Sequence, residues 1–381
     1  GVLAAMSARD DARAQPLRGG DVERGSLSVE GPGGASAAPK VRGEYSAGVQ
    51  IFVFCFFSLM RALHPLIVKT AVDPVTKKVK HEGISVPLAE SLISLVAAQL
   101  VALLHGGIRE WKIIWHGKAL AIFSVVGFFL GLGDILELQS LGNLSGAAYQ
   151  VLCQSKMIIT AFMLMGVKGQ KQSPMQWILL LLLTLSLCCY IIIKELMLAK
   201  ARGSSDAVVT DDDPALLIRG AFWTLMKVGI SCLTAVLLDK FMKDFKDEPI
   251  HVQLAQFKVA WFITLFVLSF FVGNAWEHGM FHDWTVRTGV ATASFAVKNW
   301  SSAYLLAILD SLLKNIGEAS AVILTYFLTI FHPEMHDTYE NETFIAVLLV
   351  FLSVVAYLLS KSDAAKLAKF DQWQAQQRGR A

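Results

Sequence analysis

Apolar residues along this chain fall into ten blocks, at 48–70, 86–105, 118–138, 143–166, 174–194, 215–240, 251–275, 288–311, 315–332 and 343–361. Such blocks match the roughly 20 residues that cross about 30 Å of hydrocarbon as helix. Runs such as Trp177 to Ile193 are continuous in apolar character, whereas a membrane β-barrel needs alternating segments of about ten residues. The pattern predicts an all-α polytopic membrane protein of about ten transmembrane helices, with backbone polar groups paired inside each span. Lys298, Asn299, Trp300, Ser301 and Ser302 interrupt the eighth block. Nine spans with a re-entrant segment there is the alternative.

Composition agrees with this. Hydrophobic residues make up 54% of the 381 and charged residues 17%, against about 25% charged in soluble domains. The net charge of +3 is dispersed, with no basic cluster interleaved with aromatics, so nucleic acid is not an expected partner. Cys55, Cys153, Cys188, Cys189 and Cys232 lie in apolar spans without metal-ligand spacing and read as free thiols.

Residues 1–47, rich in Gly, Ala, Ser and mixed charge around Gly31-Pro32-Gly33-Gly34, read as a disordered cytosolic tail without the apolar run of a cleaved signal peptide. The chain begins with Gly, so the true N-terminus is expected to lie upstream. A five-helix unit over 48–194, a polar loop over 195–214, a second five-helix unit over 215–361 and a basic cytosolic tail over 362–381 complete the division. The last carries no dilysine-type retrieval pattern, which disfavours residence in the endoplasmic reticulum.

Lys and Arg in short loops mark the cytosolic side. With both termini inside, that side receives Lys40, Arg42, Arg109, Lys112, Lys118, Lys168, Lys171, Lys240, Lys243, Lys246, Lys314, Lys361, Lys366 and Lys369. The other side receives chiefly Lys77, Lys78, Lys80, Lys194, Lys200 and Arg202. Asn341-Glu342-Thr343 is a glycosylation sequon on the predicted outer side, close to span ten, whereas the sequons at Asn143 and Asn299 lie in or beside spans.

An even number of spans invites a search for two halves. The segment from Asn143 to Leu152 opens span four, and Asn315 to Leu324, similar in its small residues, opens span nine. Five spans separate them, so the two would run in opposite directions through the bilayer, as in an inverted repeat; the general likeness of small-residue helices is the other explanation. Substrate sites in such folds lie near the midplane between the halves.

Charged groups inside spans cost about 2.5–3.5 kcal/mol each on insertion scales and mark cavities or partners. Here they are Arg61, Glu90, Asp134, Glu137, Lys156, Lys227, Lys258, Asp310 and Glu318. Lys156 follows Tyr149, Gln150, Cys153 and Gln154, and Gln150 and Gln154, four apart, share a helix face. A cation amid amide and phenol groups suits an anionic, hydroxyl-rich solute. The competing reading is an internal ion pair of Lys156 with Glu90, Glu137 or Glu318. Arg61, just before His64-Pro65 and the kink expected there, and Lys258, just after Gln253 and Gln256, either line a cavity or snorkel to an interface. Gly127, Gly131 and Gly133 suggest close helix packing.

Enzyme, pump and metal chemistry find little support. No G-x-x-x-x-G-K-[ST] run is present, and no ordered set of acid, base and nucleophile appears, so no catalytic residue and no cofactor are expected. Pro333 argues against a helical metal site at His332 and His336; His278 and His282 with Asp283 fare no better, and Asp211 to Asp213 read as a solvated loop.

At span four the chain resembles the nucleotide-sugar transporter family of the drug/metabolite transporter superfamily. The resemblance rests on Ala148-Tyr149-Gln150-Val151, Gln154, Lys156, Thr160-Ala161 and Gln176-Trp177, within residues 125–195, with Asn143-Leu144 and Asp239-Lys240 also fitting. It implies two inverted five-helix halves, cytosolic termini, a Golgi membrane and exchange of a cytosolic UDP- or CMP-type nucleotide sugar for lumenal nucleoside monophosphate. Lys156 would meet the phosphates, and Tyr149, Gln150 and Gln154 would line the cavity. The chain departs from the family at span nine, where Lys314-Asn315-Ile316-Gly317-Glu318 places an acid in the position of a second Lys, and at span three, where Asp134-Ile135 replaces paired Asn. Candidate substrate-binding residues are Lys156, Tyr149, Gln150, Gln154, Gln256, Lys258, Asn315 and Glu318. Expected partners are the nucleotide sugar, the monophosphate and the bilayer, with a homo-oligomer left open. The added acids keep a second solute class, another small polar or cationic metabolite, in play.

Overall fold

The computed structural model describes residues 45–71, 82–141, 144, 146–201, 214–272, 275–331 and 340–378. The sequon at Asn143, the His332–His336 segment, Asp211 to Asp213 and nearly all of the N-terminal tail lie outside them, as do the middle of the 195–214 loop and the side chains of most of the C-terminal tail.

The described residues form helices and no strand: α1 (Ala47–Ala71), α2 (Ser85–Ile114), α3 (Gly117–Leu141), α4 (Gly146–Cys153), α5 (Lys156–Lys168), α6 (Pro174–Ala201), α7 (Pro214–Asp244), α8 (Ile250–Leu268), the short α9 (Ala275–His278), α10 (Val286–Ile308), α11 (Ser311–Phe331) and α12 (Asn341–Arg378). Eight spans, one of them α4 and α5 taken together, are long and apolar enough to cross a membrane, so the chain is a multi-pass membrane protein. Helices α10 and α11 have the length, 23 and 21 residues, but are more polar, Lys298 in one and Lys314 and Glu318 in the other being charged. The eighth block is therefore a continuous helix through Lys298 and Ser302.

Departures from regular helix occur at identifiable residues. Helix α1 continues through Pro65, which a membrane helix tolerates where neighbours satisfy the freed groups. Span four is divided at Gln154 and Ser155, whose amides donate to Val151 O at 3.0 Å and Leu152 O at 3.1 Å, a tight i to i−3 turn. Leu309 leaves the helical region (φ −108°, ψ −130°) and ends α10; Asp310 Oδ1 then accepts from the Leu313 amide at 2.8 Å at the start of α11.

Two apolar cores hold the bundle. One joins α2, α3, α8, the end of α7 and part of α10, and the other α5, α6, α11 and α12. The first is tight because α3 meets α8 through glycine. A Cβ on Gly127 would stand 2.2 Å from Phe257 O, and one on Gly131 2.9 Å from Thr264 Cγ2, so backbones approach as in small-residue membrane contacts. Gly133 faces open space instead. Helix neighbours are α3 with α7 and α8, α2 with α8, α10 with α1 and α2, α11 with α1, α5 with α7, and α12 with α6. Polar residues gather between the cores.

Candidate substrate cavity

A cavity of about 750 Å³ opens among α1, α2, α3, α4, α5, α7, α8, α10 and α11, within the 300–1,000 Å³ usual for small-molecule sites. Tyr149, Gln150 and Gln154 line it, brought to its wall by the short α4 and the turn after it, and Lys156 opens α5 beside them. From the far side α11 presents Lys314, Asn315 and Glu318. The two sides are stitched together: Asn315 Nδ2 donates to Thr160 Oγ1 at 2.8 Å and to Lys156 O at 3.4 Å.

The charges are arranged in sets. Glu318 accepts from Lys156 Nζ through Oε2 and from Arg61 Nη2 through Oε1 at 3.1 Å. Lys227 Nζ lies 3.0 Å from Glu137 Oε2 and donates to Tyr149 Oη at 2.7 Å. Asp134 accepts from Trp261 Nε1 at 2.8 Å. All these groups line the cavity, together with Lys298 and Lys314, which have no carboxylate within ion-pair distance among the described residues. Lys298 Nζ lies over the Phe295 ring, 3.9 Å from its centroid. Asn299 Nδ2, beside it, is buried with no hydrogen-bond partner. His64 on α1 meets Ser294 Oγ on α10 at 2.9 Å.

Two of the sequence candidates lie elsewhere. Lys258 points into the α2 interface, where its Nζ donates to both oxygens of Glu90 at 2.7 and 2.8 Å and lies 3.6 Å from the Trp261 ring centroid. Gln256 donates to Ile113 O at 3.2 Å and Glu248 Oε2 at 3.1 Å; burial pushes the Glu248 carboxyl up, and this bond partly opposes the shift. Neither residue lines the large cavity. Lys258 and Gln256 stand three and five residues before Trp261 on the same helix; Lys258 is drawn to Glu90 of α2 and Gln256 to Ile113 and Glu248, while Trp261 reaches the cavity wall. Conversely, Lys298, Lys227 and Asn299 were not in the candidate set. Their signal in the sequence is polarity inside apolar blocks, and for Lys298 and Asn299 the same polarity weakens the apolar pattern of the span.

The two ends of the cavity differ. Its wall reaches Val68, Gly83, Pro87 and Thr288, where α1 ends and α2 and α10 begin. Toward the other ends of the helices, Asp239 takes Lys168 at 2.9 Å, Lys243 at 2.6 Å and the Ser311 amide at 3.2 Å, while Lys243 also donates to Leu309 O. Lys361 reaches Asp310 at 2.5 Å beside it. This ionic hub joins α5, α7, α11 and α12.

The profile described as nucleotide-sugar transporter matches residues 98–358. The UDP-galactose translocator 1 of Caenorhabditis elegans is 23% identical over 56% of this chain and 58% of its own, and the UDP-galactose transporter of Schizosaccharomyces pombe 26% over 63% and 65%. The CMP-sialic acid transporter 1 of Oryza sativa is 19% identical over 66% of this chain and 74% of its own. The chain thus spans about three-fifths of the length of the first two relatives. A crystal structure of another protein shares the fold with TM-score 0.57 at 13% identity, covering 82% of this chain and 98% of that one. With the family profile spanning more than half of a polytopic helical chain that holds a cationic cavity between two cores, this protein belongs to the nucleotide-sugar transporter family.

Proposed function

We propose that the protein exchanges a cytosolic nucleotide sugar, of the UDP- or CMP-sugar type, for lumenal nucleoside monophosphate by alternating access in the Golgi membrane. The charge of the cavity carries this reading. Arg61, Lys156, Lys227, Lys298 and Lys314 supply five cations, and Asp134, Glu137 and Glu318 three acids. Two positive charges are therefore left over, and the two lysines without a carboxylate are the natural place for them. A sugar-linked diphosphate carries about two negative charges, one per phosphate, and a nucleoside monophosphate about 1.5 to 2. Either cargo neutralises the surplus. The three acids are already engaged by Arg61 and Lys156, by Lys227 and by Trp261, so no cavity carboxylate is free to favour a cationic solute.

Coupling follows from the same surplus. Closing water out of an empty cavity strands two cations at a cost of several kcal/mol each, whereas a loaded cavity is compensated. Reorientation is then fast only when cargo is bound, and the outgoing monophosphate and incoming nucleotide sugar use the same cations. The unpartnered Asn299 amide and the Gln150 and Gln154 side chains supply hydrogen bonds for base and sugar.

Two inverted halves fit the helix neighbours. Exchanging α1, α2, α3, α4/α5 and α6 with α7, α8, α10, α11 and α12 maps the α3–α7 contact onto α10–α1, α5–α7 onto α11–α1 and α3–α8 onto α10–α2, all of which occur. The α2–α8 and α6–α12 contacts map onto themselves. With cytosolic termini, the cavity mouth near Val68 and Thr288 is lumenal and the Asp239 hub is the closed cytosolic gate.

The test is exchange by purified protein in liposomes preloaded with UMP, CMP, GMP or AMP, with labelled nucleotide sugars outside. Uptake that depends on one internal monophosphate is the expected result and identifies the base. Failure of every pair, with folded protein in the vesicles, would remove the reading.

A further inference from the structure

Away from the cavity, two imidazoles and a carboxylate converge where the last turns of α2 meet the first turn of α8. His105 Nδ1 lies 3.0 Å from Glu110 Oε1, and His251 Nε2 lies 2.9 Å from Glu110 Oε2. One ligand atom from each residue falls within 4.8 Å of the others. Glu110 and His251 are mostly buried, at 15% and 9% exposure, while His105, at 68%, is the exposed member of the cluster.

Two glycines make this convergence. Gly107 adopts φ 62° and ψ −153° inside α2, a conformation that residues with a Cβ avoid, and it breaks the regular course of the helix. The break folds Glu110 back over Gly106, where a Cβ would stand 2.2 Å from Glu110 Cγ and Cδ and 2.5 Å from Oε1. A regular helix would instead leave residues 105 and 110 on different faces. The local result is a single carboxylate between two imidazoles.

We propose that His105, Glu110 and His251 form a binding site for a divalent transition metal of the Zn²⁺ class. Two nitrogens and a carboxylate match the donors of three-ligand zinc sites, with a fourth position left for water. Zinc bonds of about 2.0–2.2 Å fit a set in which each imidazole nitrogen is already about 3 Å from its own Glu110 oxygen and the two rings pack edge to face, 5.4 Å between centroids. Imidazole donors select zinc-like ions over Mg²⁺ and Ca²⁺, and the lack of thiolate disfavours Cu(I). The ion would replace the two imidazole–carboxylate hydrogen bonds and pin the end of α2 to the start of α8. None of the three residues lines the substrate cavity, so the site is independent of the transport reading.

The experiment is metal binding to untagged, chelator-stripped protein in detergent, by competition with a chromophoric chelator and by elemental analysis. Wild type reloaded with Zn²⁺ should retain one ion per chain after unbound metal is removed. H105A, which alters an exposed side chain, should bind at least about tenfold more weakly, and H282A should bind as wild type does. Co²⁺ should give the intense visible absorption of a four-coordinate site in wild type and lose it in H105A. Folded wild type that retains no zinc would overturn the proposal, and so would H105A that binds zinc and cobalt unchanged.

Discussion

Two lysine–glutamate pairs lie inside this protein, and they have opposite surroundings. Lys258 and Glu90 are wholly inaccessible and join α8 to α2; Ser94 also donates to Glu90 at 2.7 Å, and the Trp261 ring covers the ammonium. Lys156 and Glu318 join α5 to α11 at the wall of the cavity, with Arg61 sharing the carboxylate and Lys314 nearby without one of its own. A sealed pair with every charge matched is fastening. A pair bordered by excess cations and space is where the proposed exchange would hold its cargo.

Removing one partner should separate the two most sharply. Lys258→Met leaves Glu90 charged and sealed, a loss of about 3–5 kcal/mol, which thermal unfolding in detergent should register as a large fall in midpoint. Lys258→Met with Glu90→Gln should restore most of the stability and leave exchange per folded molecule intact. A double variant that folds but does not exchange would erase the distinction.

Lys156→Ala should do the reverse. Glu318 keeps Arg61, so the protein should fold, while exchange in liposomes falls below detection; unaltered exchange would remove Lys156 from the site. Next in size, Lys298→Gln and Lys314→Gln should each raise the KM for nucleotide sugar by about ten- to a hundredfold, the worth of one charged hydrogen bond at about 1.5–3 kcal/mol. Initial rates of uptake measure this, and unchanged KM in both would place the phosphates elsewhere. The smallest effect is expected of Gln256→Ala, whose amide serves Ile113 and Glu248. Its KM should match wild type within about twofold, as for a residue outside the cavity.

Much of the architecture was legible along the chain. Spanning helices follow from uninterrupted apolar length, because lipid leaves a backbone no other partner than its own turn. The α4–α5 wall was also legible: Tyr149, Gln150, Gln154 and Lys156 are close in sequence, so one local segment carries them to one place. Lys298 and Asn299 were visible as interruptions, yet the same polarity that marks a cavity also weakens the apolar signal of a span.

Rotation and pairing were not legible. Lys258 and Lys156 look alike as single lysines in apolar helices, and only the azimuth at which α8 packs against α2 turns one into a closed pair. That azimuth is set by Gly127 and Gly131 of α3, which bring the helices to backbone contact, a relation between segments more than a hundred residues apart. The same holds for His251, which meets Glu110 across 141 positions. The sequence by itself determined the solvent, the helical class, the family and the local order of polar groups, because each depends on neighbours along the chain. Tertiary structure decided which charges face the cavity, which neutralise one another, and where two glycines fold a carboxylate between imidazoles, because each depends on the direction of a side chain in space.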